Sequence, residues 1–248
     1  MPLTKKQLLA RYAIRNIAAE LLLSVRQMTA GSGKVMPRVE TSTTGKSTGA
    51  RASSTRRFPR VVIFAGPNGA GKSTHADAIL AALGIDTFVN ADYIARGLSG
   101  RHADAVGMQA GRIMLTRLNE LAAAHQDFAF ESTLSSRSFA PFFRQLKAQG
   151  YQVAIYYFSL TSASLAVRRV KLRVAMGGHD VSADTVRRRY VRSVSNFLTL
   201  YVPLANDWTV YDNSSAKQAK MIASSANGIL NVLEPKPWLK LKKQNKAD

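Results

Sequence analysis

The chain has 248 residues, enough for one α/β domain of ordinary size and an appendage, and no run of about 18 uninterrupted apolar residues predicts a transmembrane span. It has no cysteine and four histidines without paired spacing, which excludes a disulfide framework or thiolate zinc site and is compatible with the cytoplasmic location that we expect. The formal net charge of +20 favours anionic partners such as nucleotides, nucleic acid or an acidic membrane surface, and half of it (twelve Lys and Arg against two Glu) lies in residues 1–60.

Residues 1–29 form the first predicted unit, an amphipathic basic helix. Apolar side chains recur there at steps of three and four, at Ala10, Ile14, Ile17, Leu21, Val25 and Met28. A helix of this kind can dock on the protein body or on a partner, lie on a membrane surface, or act as an Arg-rich targeting presequence. The sequence leaves these alternatives open.

Residues 30–59 are predicted to be a flexible linker, because Gly, Ser, Thr and Arg dominate and large apolar residues are almost absent. The linker contains Gly45-Lys46-Ser47-Thr48, which imitates part of a phosphate-binding motif. Glu40 stands where that motif needs its first glycine, and neither a strand nor an apolar helix flanks the segment. We therefore do not expect it to bind a nucleotide.

The pattern changes at Arg60, where a run rich in β-branched and aromatic residues predicts a buried strand. Helical spacing follows over residues 76–83, and G-x-x-x-x-G-K-S stands between the two. A strand, this motif and a helix in that order predict a phosphate-binding loop. The residues of this phosphate loop, all expected to contact the triphosphate, are Gly66, Pro67, Asn68, Gly69, Ala70, Gly71, Lys72, Ser73 and Thr74.

The chemistry of a triphosphate explains these residue types. Glycines permit backbone angles that direct several N–H groups at an anion, and the N-terminus of the next helix adds partial positive charge. Lys72 is expected to reach the β- and γ-phosphates, and the Ser73 hydroxyl suits Mg²⁺. The loop alone therefore predicts a nucleoside triphosphate and Mg²⁺ as ligands.

Residues 60–233 alternate between strand and helix patterns, which predicts an α/β fold with a mainly parallel sheet and helices on both faces. The further predicted strands cover residues 87–90, 128–130, 151–159 and 208–211. The further predicted helices cover residues 103–124, 139–149, 162–176 and 182–206, with a final helix after residues 212–215. Residues 234–248 are Lys-rich, contain two prolines and are predicted to be a loose basic tail.

Carboxylates are expected at the ends of two strands, where ligands collect in open parallel sheets. Asp92 follows the second strand and is our candidate for the base that accepts a proton from an acceptor hydroxyl, although Asp is also a favoured helix cap. Glu131 follows the third strand and can bind a substrate hydroxyl, order a Mg²⁺-bound water or hold a neighbouring loop. Ser132 and Thr133 beside it offer hydroxyl contacts to the substrate.

Arginines concentrate in residues 168–173 and 187–189, on two predicted helices joined by a glycine-containing turn. The two helices, about residues 163–190, are predicted to form a lid that closes over phosphates. Arg169, Arg173 and Arg188 are the candidates for stabilising the transferring phosphoryl group, and the alternative is a solvated basic surface. His179 is expected to be a turn residue.

The ordered set of motifs resembles the zeta toxin family of P-loop kinases. The matching segments are GPNGAGKST (66–74), NAD (90–92), FESTLS (130–135), YQVAIYYF (151–158), RRVKLRVAMGGHDVSADTVRRRY (168–190) and WTVYDNS (208–214). The resemblance implies an ATP-dependent kinase in which Asp92 deprotonates the acceptor, Glu131 helps to hold the substrate and lid arginines assist transfer. It also implies a sugar nucleotide such as UDP-N-acetylglucosamine as substrate, and a protein antitoxin as partner.

Other functions remain open from the residues. One is a P-loop kinase for another alcohol, including a nucleic-acid 5′-hydroxyl. Another is a nucleotide-hydrolysing switch, although no N-K-x-D guanine motif and no clear strand-plus-Asp metal motif is present. A third is a nucleic-acid-binding protein with a basic N-terminal arm, although the basic residues lack the interleaved aromatic residues of a single-strand platform.

Overall fold

The structure is a computed structural model, and it describes residues 58–99, 106–178, 180–215 and 218–244. The predicted amphipathic helix, almost all of the predicted linker and the turn residue His179 lie outside these ranges. None of the helices in the described ranges is long and apolar enough to cross a membrane.

The described residues contain seven strands and seven α-helices. The strands are β1 (Arg60–Ala65), β2 (Phe88–Val89), β3 (Phe128–Ser132), β4 (Gln152–Ser159), β5 (Asp207–Asp212), β6 (Lys220–Ala226) and β7 (Ile229–Val232). The helices are α1 (Lys72–Leu83), α2 (Ala91–Ser99), α3 (Gly107–Ala123), α4 (Phe139–Ala148), α5 (Ala163–Ala175), α6 (Ala183–Asn196) and α7 (Pro235–Gln244). A π-helical turn (Phe197–Tyr201) and a 3₁₀ turn (Val202–Leu204) continue α6.

All seven strands form one sheet in the order β2-β3-β1-β4-β5-β6-β7. The strands from β2 to β5 are parallel, whereas β6 and β7 are antiparallel additions at one edge. The carboxyl ends of β1, β2 and β3 therefore meet at one edge of the sheet, with the phosphate loop in the centre. This arrangement confirms the predicted mainly parallel α/β fold.

Side chains of β1 alternate between two buried cores, one on each face of the sheet. Val61 and Ile63 pack with α3, α4, α7 and the π-helical turn, and Val62 and Phe64 pack with α1, α5 and the start of α6. Parallel strands that are covered on both faces need apolar residues at successive positions, which is why β1 and β4 appear in the sequence as continuous apolar runs. The prediction of helices on both faces is confirmed.

The prediction of a final helix after residues 212–215 is wrong. In its place β6 and β7 form an antiparallel hairpin, and β6 pairs with β5. Asn227 and Gly228 connect the two strands, with φ angles of 51° and 77°. Asn-Gly is the favoured pair for a two-residue turn that needs positive φ at both positions, so this dipeptide was the sequence signal for the hairpin.

Residues 234–248 were predicted to be a loose tail. For the described part, which ends at residue 244, this prediction is wrong, because α7 packs on the core. Trp238 and Leu241 are buried, and the Trp238 ring stacks on Trp208 of β5 with 5.5 Å between centroids. The lysines of the helix are exposed, and Lys242, one turn after Trp238, lies above the Trp238 ring. Two apolar side chains three positions apart are sufficient to dock a basic helix, since its charged face remains in water.

Candidate active site

The phosphate loop links β1 to α1 and is held in place by close backbone contacts. A Cβ atom at Gly66 would lie 2.2 Å from the carbonyl oxygen of Phe158 in β4, so only glycine fits there. A Cβ atom at Gly71, which has φ of 84°, would lie 2.5 Å from Nδ2 of Asn213. Asn213 is buried and donates this amide to the carbonyl oxygen of Ala70 at 2.7 Å. The end of β5 therefore supports the loop from behind.

Lys72 and Ser73 begin α1 and share one carboxylate, that of Glu131. The Lys72 ammonium lies 3.4 Å from Oε1 of Glu131 and donates to the carbonyl oxygen of Pro67 at 3.2 Å. The Ser73 hydroxyl donates to Oε2 of Glu131 at 2.5 Å. Lys72 is only 6 % exposed and Glu131 14 %, so the pair is poorly hydrated and each charge needs the other. Glu131 thus contacts both loop residues that were predicted to meet the phosphates and the metal.

Asp92 lies in the first turn of α2 but does not cap that helix. Asn90 is the cap, because its Oδ1 accepts from the backbone N–H of Asp92 at 2.8 Å and its carbonyl oxygen accepts from Ile94. The Asp92 side chain is 47 % exposed and faces α5, where Nη1 of Arg173 lies 4.0 Å from its Oδ2. The carboxylate therefore remains accessible to an acceptor, which removes the alternative that it serves only as a cap.

Tyr93 stands beside Asp92 with half of its surface exposed. Partial burial raises the pKa of its phenol above the ordinary value, and the negative charges of Asp77 and Glu131 raise it further. Its hydroxyl is therefore neutral at physiological pH and suits hydrogen bonding rather than proton abstraction. Tyr93 was not among the site residues predicted from the sequence.

Ser132 and Thr133 shape the turn that follows β3. The Ser132 hydroxyl accepts from the backbone N–H of Leu134, and the Thr133 hydroxyl bonds to that of Ser135 at 2.8 Å. Leu134 is fully buried with φ of 51°, an unusual conformation for a non-glycine residue. The hydroxyls of Ser132 and Thr133 therefore both have hydrogen-bond partners within the turn. The predicted contact of these hydroxyls with a substrate remains a prediction.

Arg169 and Arg188 have different positions from Arg173. Arg169 lies beside the tip of the phosphate loop, and its Nη2 donates to the backbone carbonyl oxygens of Ser214 and Ser215 at 3.2 and 3.4 Å. Arg188 is exposed on α6, where its Nη2 donates to the Thr185 hydroxyl at 3.2 Å. Of the three candidate arginines, Arg173 is the one that the structure places against Asp92. The roles of all three arginines in transfer remain predictions.

The donor atoms at the phosphate loop fit Mg²⁺. They are a serine hydroxyl at position 73 and a carboxylate at position 131, both hard oxygen ligands. The described ranges hold no group of three or more His, Cys, Asp or Glu side chains that could bind a metal on their own. Mg²⁺ needs no such group in a phosphate site, because substrate phosphates and water complete its coordination.

Comparisons with known proteins identify related sequences. The sequence profile of the family described as zeta toxin matches residues 45–221. An uncharacterized protein from Haemophilus influenzae is 29% identical over 135 residues, which are 53% of this chain and 92% of that protein.

Two crystal structures of the AvrRxo1-ORF1:AvrRxo1-ORF2 complex contain a chain of similar fold. One, with ATP, gives a TM-score of 0.61 at 16% identity over 76% of this chain and 64% of that chain. The native complex gives 0.64 at 17% identity over 77% of this chain and 65% of that chain. The chain thus spans less than two thirds of those AvrRxo1 chains. Taken with the fold and the phosphate loop, the family match shows that the chain belongs to the zeta toxin family.

Proposed function

We propose that the protein transfers the γ-phosphoryl group of ATP to a hydroxyl of a small molecule, most specifically a sugar nucleotide such as UDP-N-acetylglucosamine. One observation carries this proposal. The phosphate loop with Lys72, the carboxylate of Asp92 and the guanidinium of Arg173 converge at the carboxyl edge of one sheet. A donor site, a base and a cation at the point of transfer are the parts that phosphoryl transfer to an alcohol requires.

The donor half of the proposed site is the phosphate loop. Its backbone N–H groups and the start of α1 bind the phosphates, and Lys72 neutralises their charge. Ser73 and Glu131 are the protein groups that would hold Mg²⁺, which screens the phosphate charge when it is bound. Lys72 and Ser73 then exchange part of their contact with Glu131 for contact with the nucleotide.

The acceptor half lies on the β2 and β3 side of the loop. There Asp92 accepts the proton of the acceptor hydroxyl as the new O–P bond forms and the bond to ADP breaks. Arg173, on helix α5 of the predicted lid, lies 4.0 Å from Asp92, so its guanidinium can reach a phosphoryl group that is transferred to an acceptor held at Asp92. Membership of the zeta toxin family supports the sugar nucleotide as acceptor, and the hydroxyls of Ser132 and Thr133 are suitable partners for a sugar.

Purified protein, γ-labelled ATP and a panel of acceptors test the proposal. The panel contains UDP-N-acetylglucosamine, free sugars and oligonucleotides with a 5′-hydroxyl. We expect label on the sugar nucleotide, and loss of that label in Asp92→Ala while ATP binding persists. Label on an oligonucleotide would identify a polynucleotide kinase instead. ATP hydrolysis without transfer to any acceptor would indicate a nucleotide switch.

We also propose a protein partner of the antitoxin class. Two observations support it: the family of this chain is a toxin family, and the similar AvrRxo1 chain was crystallised in a complex of two gene products. A partner that neutralises the enzyme should lower transfer in the labelled assay when the two proteins are mixed. Unchanged transfer at saturating partner would contradict this role.

A further inference from the structure

We propose that Asn90 is a positioning residue for phosphoryl transfer, and that its side-chain amide fixes Glu131 and Asp92 relative to each other. Its Nδ2 donates to Oε2 of Glu131 at 3.0 Å, and its Oδ1 accepts from the backbone N–H of Asp92 at 2.8 Å. The inference deepens the proposed kinase function and rests on it.

The sheet explains why these side chains meet. In the parallel register of β2 and β3, Phe88 lies opposite Ala129 and Val89 lies opposite Phe130. The next pair in the same register is Asn90 and Glu131, immediately beyond β2. β2 has only two residues and α2 follows directly, so this one amide connects the strand that carries Glu131 to the helix that carries Asp92.

Only one orientation of the amide satisfies both contacts. A rotation by 180° would place Oδ1 against the Glu131 carboxylate and the NH₂ group against the backbone N–H of Asp92. Asn90 is 4 % exposed, so water cannot replace either partner easily. The orientation of the amide is therefore fixed, and with it the positions of the Glu131 carboxylate and the backbone N–H of Asp92.

Asparagine is the residue type that provides both contacts at this length. Serine can accept from the N–H of Asp92, since it is a good helix cap, but it cannot donate to Glu131 over this distance. Aspartate can also cap, but its second oxygen would lie about 3 Å from a carboxylate, where like charges repel. Alanine provides neither contact. Substitution with these three residues separates the two functions of the amide.

The first experiment measures ATP affinity by calorimetry with Mg²⁺ and with EDTA. Because Glu131 is the proposed metal carboxylate, Asn90→Ser should weaken ATP binding about 10–100-fold with Mg²⁺ present and leave binding in EDTA unchanged. The melting temperature should change little, since the cap is retained. Equal weakening in both conditions would overturn the positioning role. Asn119→Ser, on an exposed position of α3 where the Asn119 amide donates to the carbonyl oxygen of Leu115, is the matched control and should change neither quantity.

The second experiment is a double-mutant cycle on thermal stability, and it needs no enzymatic activity. Asn90→Asp alone should lower the melting temperature by about 3 °C or more. The loss in the double variant with Glu131→Gln should be clearly smaller than the sum of the two single losses, because the amide introduced at position 131 can donate to the carboxylate introduced at position 90. Additive losses would show that the two side chains are not coupled and would overturn the inference. If the cycle shows coupling but no acceptor is ever phosphorylated, the kinase proposal fails and the contact stands.

Discussion

Nη1 of Arg173 lies 4.0 Å from Oδ2 of Asp92, between helix α5 of the predicted lid and helix α2. The two residues are 81 positions apart in the chain, and each is partly exposed. Phosphoryl transfer to an alcohol needs a base for the acceptor proton and a cation for the phosphoryl charge, and this pair has the residue types for both.

Arg173→Ala should therefore lower the rate of transfer by about 10³-fold or more, the range for an arginine that stabilises the transferring group. Binding of ATP should be affected much less. The measurement is labelled transfer at saturating ATP. Arg168→Ala, an exposed position on the same helix, is the matched control, and an equal loss there would show that only the general positive charge of the lid matters.

Lys72→Met should lower ATP affinity about 10–100-fold, since hydrogen bonds to charged groups contribute about 1.5–3 kcal/mol. It also leaves the Glu131 carboxylate without its 3.4 Å cation partner, so the free energy of unfolding should fall as well. Calorimetry and urea denaturation measure the two effects. Lys147→Met, on the exposed side of α4, should change neither. Full ATP affinity in Lys72→Met would contradict the assignment of the donor site.

Three glycine substitutions should separate steric conflict from backbone strain. Gly66→Ala should prevent stable folding, because the new Cβ meets the Phe158 carbonyl oxygen at 2.2 Å. Gly84→Ala, with φ of 63° and no neighbour within 4 Å, should cost about 1–2 kcal/mol. Gly97→Ala, inside α2 with open space around it, should stabilise the protein by about 0.5–1 kcal/mol. The order of melting temperatures checks the series, and any other order would contradict the described backbone.

Trp238→Ala should lower the free energy of unfolding by about 3–5 kcal/mol, because the side chain is buried against Trp208. Leu239→Ala, one position later and 52% exposed, should change it by no more than about 0.5 kcal/mol. Urea denaturation of both variants is the measurement. Equal, small effects would mean that α7 is not docked on the core.

Alkaline pH should destabilise the protein through its buried tyrosines. Burial raises the pKa of Tyr190 from 10.0 to about 12, although its hydrogen bond with Gln244 acts in the opposite direction. A raised pKa in the folded state means that the stability from the protonated phenol is complete below pH 10 and is lost as the pH rises through 12. Tyr190→Phe should therefore lose less of its unfolding free energy over that interval than the unmodified protein. Identical pH dependence would show that Tyr190 ionises freely in the folded state.

The sequence was most informative where chemistry dictates residue type locally. The glycines and Lys72 of the phosphate loop, and the apolar runs of β1 and β4, predicted the central strands and the donor site, because a phosphate cradle and a doubly covered strand tolerate few alternatives. The position of Asp92 after a strand also predicted its place at the carboxyl edge of the sheet.

Contacts between segments that are distant in the chain could not be predicted from local sequence patterns. Asn213 supports Ala70 from 143 positions away, and no feature of its neighbourhood indicates this. Asn90 could have been found, because an asparagine between a strand and a helix is a natural cap. The direction of an arginine side chain was not predictable, since residues on one face of a helix can point to different neighbours. Arg169 and Arg173 are four apart, yet one meets a backbone loop and the other meets Asp92.

The ammonium of Lys72 and the hydroxyl of Ser73 both contact the carboxylate of Glu131. An arriving triphosphate therefore competes with an internal anion, and its observed affinity is the difference between two sets of contacts. The negative charges of free ATP would lie close to that carboxylate and be repelled by it. A divalent cation bound to ATP would attract both the phosphates and the carboxylate, and so remove the repulsion. The protein should on this account discriminate by the charge state of its donor, and bind the metal-bound nucleotide more tightly than the bare one.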